Sequence, residues 1–275
     1  MKKANAKWRL GILEISVILS SMIIIVPLLI VLLGSMKDPL AAGQFNISLP
    51  REWHFENFKF VLENGNVIQS LFNSVFITVV STIIGVISAS MLGFVLARRT
   101  TKGADRLYNY IFLGMVAPMQ IITTFFVLNS LHLSGSFVGI VLVYIAINLP
   151  FNTFRFTSFI KGIPRELDEA SIIDGCNIWG VFFKVVLPLL KPVIATSGII
   201  FAMNVWNDFQ LPLYFLNDSS KWTLPLTIYS FYGKYFSNWN YVFADMIITA
   251  LPLLIIYIFA QKYIVQGMVA GAVKG

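Results

Sequence analysis

The sequence predicts an all-α polytopic membrane protein of six transmembrane helices, with one structured polar loop between the fourth and fifth. Three observations predict it. The 275-residue chain is 57% hydrophobic and only 12% charged, with a mean hydropathy of +0.78, whereas soluble domains carry roughly 25% charge. Long apolar runs alternate with short polar segments, each run near the roughly 20 residues a helix needs to cross a bilayer. The basic residues collect on alternate polar segments. Cys176 is the single cysteine, which rules out an internal disulfide framework. The formal charge of +7 raises nucleic acid as a partner, but its distribution points to one face of a lipid bilayer and to no nucleic acid.

The first segment carries Lys2, Lys3, Lys7 and Arg9 before an apolar stretch from Ile15 to Leu33. A cleavable signal peptide has a similar start, but its core is roughly 7–15 residues and a small-residue cleavage site follows. The longer stretch here, with no A-x-A site after it, is expected to stay as a first span over residues 13–34, kinked at Pro27. Residues up to Asn66, with Pro39, Pro50, Trp53, His54 and Phe55, form an extramembrane loop. The second span, residues 69–97, has no charge and ends at the basic pair Arg98-Arg99. Spans at 107–130 and 137–158 follow, joined by the small-residue turn Ser130–Ser136. A polar island occupies residues 162–190. The fifth and sixth spans are expected at 193–216 and 241–261, separated by a loop rich in aromatics. The tail beyond is too polar and glycine-rich to span. No linker or internal repeat divides the chain, so residues 1–275 are expected to form one domain.

Orientation follows from the basic residues. Of the 20 Lys and Arg, only Lys37, Arg51, Lys59, Lys221 and Lys234 fall on the side opposite the amino terminus. The positive-inside rule then places both termini and the island in the cytoplasm.

The island runs from Pro164 to Pro188 and is dense in acids: Glu166, Asp168, Glu169 and Asp174. Proline suits a first helical turn, and acids there favour the positive end of the helix dipole. Leu167, Ala170 and Ile173 recur at helical spacing, a short stripe expected to pack on the membrane helices. Gly175 is a natural stop in the left-handed region. Asn177 is placed to cap a second helix that runs through Trp179, Phe182, Phe183 and Val186 until Pro188 and Pro192 re-aim the chain.

These residues carry a resemblance. Glu169-Ala170-Ser171, three residues, Gly175, nine residues, Val185, one residue and Leu187-Pro188 resembles the EAA loop of ABC importer permeases. Ser171 stands for alanine and Val185 for isoleucine, and Asp174 completes the usual D-G pair. Val205-Trp206-Asn207-Asp208-Phe209-Gln210-Leu211-Pro212-Leu213 is similar to the W-N-x-F-x-x-P-L stretch of carbohydrate permeases. The tail from Gln261 to Gly275 resembles the ending of the maltose-type second permease subunit. With the six-span layout, the resemblance covers essentially the whole chain and implies a type I ABC importer permease of a bacterial cytoplasmic membrane, multi-pass.

The resemblance implies a set of partners and sites. The partners would be a second homologous permease, a cytoplasmic ATPase dimer and an extracytoplasmic sugar-binding protein. Glu169, Ala170, Ser171, Asp174, Gly175, Leu187 and Pro188 would couple to the ATPase, against the alternative of a solvated loop that is acidic only because helix starts favour acids. Gly267, Gly271 and Lys274 would form a second, tail contact with the ATPase, or else a frayed end. Trp222, Tyr229, Tyr232 and Tyr235 would meet the binding protein, or form an aromatic belt at the membrane surface.

Polar residues within spans give the remaining candidates. Asn204, Trp206, Asn207 and Asp208 are candidates for a translocation path, as are Gln120, Thr123, Thr124, Asn148 and Asn152, although such residues commonly join helices to one another. Asp208 and Asp245 lie near outer span ends, where water or a partner is expected to reach them. The chain has no G-x-x-x-x-G-K-[ST] phosphate loop. It is therefore expected to be no enzyme and to bind no cofactor or metal, with ATP and Mg in the partner subunit. A secondary sugar transporter is the alternative, but that class relies on mid-membrane ionisable residues, which spans two to four lack. His54 and His132 lie in separate loops and no H-E-x-x-H or G-x-S-x-G occurs, which weakens a membrane enzyme.

Overall fold

The computed structural model describes residues 2–117, 119–233 and 238–272. The described chain is helical. In order it forms α1 (Lys2–Gly34), α2 (Pro39–Ala42), α3 (Glu56–Asn64), α4 (Val67–Arg98), α5 (Lys102–Val116), α6 (Ile121–Ser130), α7 (Phe137–Lys161) and α8 (Glu166–Ile173). Then come α9 (Ile178–Gly180), a π-helical turn (Val181–Val186), α10 (Leu187–Leu189), α11 (Lys191–Asn207), α12 (Gln210–Phe215) and α13 (Trp239–Ala272). Backbone contacts divide the chain into two compact units, Met1–Ile68 with Thr227–Pro252 and Gln69–Leu226 with Leu253–Gly275.

Among the described residues, four helical stretches are long and apolar enough to cross a membrane: Ser16–Gly34, Val67–Arg98, Phe137–Lys161 and Trp239–Ile258. The first falls within the expected first span, the next two contain the expected second and fourth, and the last overlaps the expected sixth. A fifth arises if Ile178–Leu189 and Lys191–Asn207, bent by 79° at Leu190, count as one.

The expected third span is broken. Ala117 turns extended (φ −70°, ψ 120°) between α5 and α6, because the following Pro118 disfavours helical geometry in its predecessor. Neither piece alone is long enough to cross. The expected fifth span breaks as well, at Asp208 (ψ 123°), whose Oδ1 accepts from the first two amides of α12, Gln210 (2.9 Å) and Leu211 (3.3 Å). The last helix does not stop at residue 261 but continues to Ala272.

In the first unit the buried amide of Asn57 ties three elements together. Its Nδ2 donates to the carbonyls of Ser35 (2.9 Å) and Lys37 (3.0 Å), while its Oδ1 accepts from Asn240 Nδ2 (3.0 Å). Lys37 is buried too, its Nζ donating to Asn46 O, Asn46 Oδ1 and Ser48 Oγ, and burial lowers its pKa. Phe60 stacks on Tyr241 at 4.3 Å and Phe45 meets Trp239 edge-on at 4.7 Å. Asn57→Ala strands two carbonyls and the Asn240 amide, an expected loss of about 2–4 kcal/mol; the check is a lowered melting temperature of the detergent-solubilised protein.

The second unit is built on α4, α7 and α11. Ile77, Ala89, Ile140, Phe156, Ile160 and Phe201 form its buried centre. At Gly93 the helices α4 and α7 come so close that a Cβ would lie 2.7 Å from Phe156 Cβ and 3.0 Å from Thr157 N. Small residues permit such close crossings in membranes. Asn73 Nδ2 donates to the carbonyls of Ser220 (2.9 Å) and Trp222 (3.0 Å), and Ser74 Oγ accepts from Leu224 N at 2.7 Å. This pins residues 220–224 to the start of α4.

Candidate functional site

The polar island folds as two short helical segments around Gly175. Pro164 stands two residues before α8 rather than in its first turn, and Arg165 occupies the cap position. Gly175 adopts φ +87°, a left-handed conformation costly for residues with a Cβ. A Cβ there would touch nothing within 4 Å, so backbone conformation alone selects glycine. Asn177 Oδ1 accepts from Gly180 N at 2.8 Å and caps the second segment. Val181, Phe182 and Val186 of that segment are buried, with Phe182 tilted against Phe94 at 5.5 Å. The 79° bend falls between Pro188 and Pro192, where Leu190 is fully buried.

The apolar stripe of α8 does not pack inward as expected. Leu167, Ala170 and Ile173 are exposed, Ile173 at 86%. The inner face is set by Asp168 and Ser171 instead. Arg98, at the end of α4, lies with Nε 2.5 Å from Asp168 Oδ2 and donates from Nη2 to Oδ1 at 3.3 Å. Ser171 is buried, and its Oγ donates to Asp168 O at 2.8 Å. The Arg98–Asp168 pair, not the stripe, lies on the inner face of this helix. Of the predicted motif residues, Glu169, Ala170, Asp174, Gly175 and Pro188 are exposed, Leu187 is half-buried and Ser171 is buried. Around them Ile172, Ile178, Trp179 and Phe183 are also exposed, and Trp179 stacks on Phe183 at 6.3 Å.

The four residues predicted for a translocation path separate. Asn204 and Asn207 are exposed, while Trp206 is buried on the opposite side of α11. Trp206 and Thr78 line a cavity of about 250 Å³ with Gly198, Met203 and Leu253. Neither Trp206 Nε1 nor Thr78 Oγ1 has a hydrogen-bond partner. Asp208 is half-buried and accepts from the hydroxyl of Tyr144 at 3.0 Å. Asp245 is not open to water as expected: it is 1% exposed and accepts from Thr227 Oγ1 at 2.8 Å. Asn148, Asn152 and Thr124 donate to carbonyls four residues back in sequence, so these bonds do not join one helix to another. A second cavity of about 430 Å³ lies at the break between α5 and α6, lined by Gly114, Met119, Thr124 and Phe151 among others.

The aromatic candidates fall in different places. Trp222 belongs to the second unit, and Tyr229 and Tyr232 to the first, where Tyr232 meets Trp239 edge-on at 5.7 Å. Tyr235 and Lys274 lie outside the described residues. Gly267 and Gly271 sit on the helical backbone of α13. Arg98 and Tyr144 went unmarked in the sequence as site residues. A basic residue closing a span, and a tyrosine within one facing an acid 64 residues on, were the only signals for them.

Residues 85–270, from the middle of α4 through α13, match the family described as "Binding-protein-dependent transport system inner membrane component". The chain belongs to that family. With several helices able to span, this permease is a multi-pass protein of the cytoplasmic membrane. It is 33% identical over 262 residues to the probable starch degradation products transport system permease protein AmyC of Thermoanaerobacterium thermosulfurigenes, covering 94% of each chain. It is 33% identical to the multiple sugar-binding transport system permease protein MsmG of Streptococcus mutans, covering 99% of each. The permease also shares its fold with a chain from the crystal structure of a bacterial ABC transporter involved in the import of the acidic polysaccharide alginate. The TM-score is 0.79 at 22% identity, covering 94% of this chain and 97% of that one.

Proposed function

We propose that this chain is one of two permease subunits of an ABC importer that moves a sugar or oligosaccharide across the cytoplasmic membrane. The observation that carries the reading is the outward face of α8 and its neighbour. A water-facing loop that exposes Ile173, Trp179 and Phe183 beside Glu169 needs a partner to cover it, since exposed apolar patches of this kind mark interaction sites. The resemblance of this loop to the EAA loop of ABC importer permeases implies that the partner is a cytoplasmic ATPase dimer, with ATP and Mg bound there. Six spans are completed by pairing α5 with α6 and α11 with α12, and both termini are cytoplasmic. Docking of a sugar-loaded binding protein outside and ATP-driven closure inside would bias one bistable membrane domain. Sugar specificity within this family is supported by relatives named for starch degradation products and for multiple sugars.

The test is purification of the permease with its second permease and ATPase, then reconstitution in proteoliposomes. ATP hydrolysis is expected to rise when binding protein and a defined mixture of malto- and arabino-oligosaccharides are added. Sugar uptake by this chain alone, with no ATPase present, would identify a secondary transporter instead.

A further inference from the structure

We propose that Arg98 and Asp168 are positioning residues that make α8 move as one body with the end of α4, delivering displacement of that span to the partner-facing motif. This rests on the reading of α8 as the ATPase contact.

Arg98 is the last residue of α4, and its guanidinium reaches three places. Nη1 donates to the carbonyl of Ile160 in the last turn of α7 (3.3 Å) and to that of Ile163 in the connector (3.1 Å). Nη2 donates to Asp168 Oδ1 at 3.3 Å. Nε lies 2.5 Å from Oδ2 without hydrogen-bond alignment, a contact of charge alone. The two side chains are 12% and 13% exposed, so water does not screen them as it does a surface pair. A planar guanidinium that engages both carboxylate oxygens fixes orientation as well as distance. The two carbonyls add a second constraint, because the same group fixes the end of α7 and the turn that leads into α8.

The clamp also touches the motif directly. Ser171 Oγ donates to the Asp168 carbonyl at 2.8 Å, and the Ser171 carbonyl accepts from Cys176 N at 2.9 Å, beyond Gly175. Glu169, Ala170 and Asp174 remain exposed on the other side. One face of α8 is therefore held by the membrane helix and the other is free for a partner. Arg99, next in sequence, is exposed and makes none of these contacts, so it serves as the control.

The experiment uses the full complex with both permeases and the ATPase. Spin labels are placed at Val95→Cys on α4 and Glu166→Cys on α8, with Cys176→Ser removing the native thiol. Distances are measured without nucleotide and after trapping with ATP and vanadate. With Arg98 and Asp168 in place, one narrow distance distribution is expected in both states. Asp168→Asn is expected to add a second, longer population in the trapped state, Asp168→Glu to keep the narrow one, and Arg99→Gln to change nothing. A distance that changes between states with the pair intact overturns the clamp, as does a narrow distribution in Asp168→Asn. A variant whose only defect is a lower yield of assembled complex shows a structural role and overturns it equally. Glu169→Lys is run in parallel: retained ATPase on purification overturns the docking reading and with it the delivery step, whatever the distances show.

Discussion

Glu169→Lys is expected to abolish sugar uptake while the permease still inserts and accumulates in the membrane. Glu169 lies in the first turn of α8 and is exposed. Reversing its charge there offends the helix dipole by only about 0.3–1 kcal/mol, too little to unfold a helix held by the Arg98–Asp168 pair on its other face. A large loss of uptake would then come from outside the chain; on the proposed reading it comes from a cationic or hydrogen-bonding group of the ATPase that meets this carboxylate. Truncating one partner of a desolvated charge pair costs an interface about 2–5 kcal/mol, and reversing the sign adds repulsion. The measurement is labelled-sugar uptake in cells, read beside permease abundance in the membrane fraction. Wild-type uptake at normal abundance would take the island out of the mechanism.

Gly93→Leu is expected to destabilise the second unit. The new Cβ would press on Phe156 Cβ and on the backbone nitrogen of Thr157, and both residues are buried within α7. Backbone cannot rotate out of the way as a flexible side chain can, so α4 and α7 must separate. Overpacking of this kind costs about 1–3 kcal/mol, before counting the displacement of Arg98, which lies five residues further along α4. Gly93→Ala, with less volume to place, is expected to cost less. Melting of the solubilised permease measures both, and an unchanged transition in Gly93→Leu would show that α4 and α7 do not cross there.

Much of the layout was legible in the residues. Apolar runs near Val67–Arg98 and Phe137–Lys161 are long enough to fix their helices by length alone. Gly175, Asn177 and the Pro188–Pro192 pair act locally, through φ, a cap and missing amides, so their turn, cap and bend appear where the sequence places them. Legibility failed where a break falls inside an apolar run or where a distant residue decides. The breaks at Ala117 and Asp208 divide two expected spans; Pro118 signalled the first, but Asp208 read as an isolated acid until its bonds to the Gln210 amide and to Tyr144 were seen. Asn204, Trp206 and Asn207 are neighbours in sequence and opposite in environment, since a helix turns about 100° per residue.

The sequence by itself determined the solvent, the family pattern and the local hinges of this protein, because hydropathy, motif spacing and backbone conformation are properties of consecutive residues. Only the tertiary structure decided which face of α8 looks outward. The stripe of Leu167, Ala170 and Ile173 suggested one answer, and a guanidinium 70 residues upstream imposed the other. The pair sets the inner face of α8 where the stripe does not. In turning Asp168 inward it leaves Glu169 and its apolar neighbours free to meet a partner.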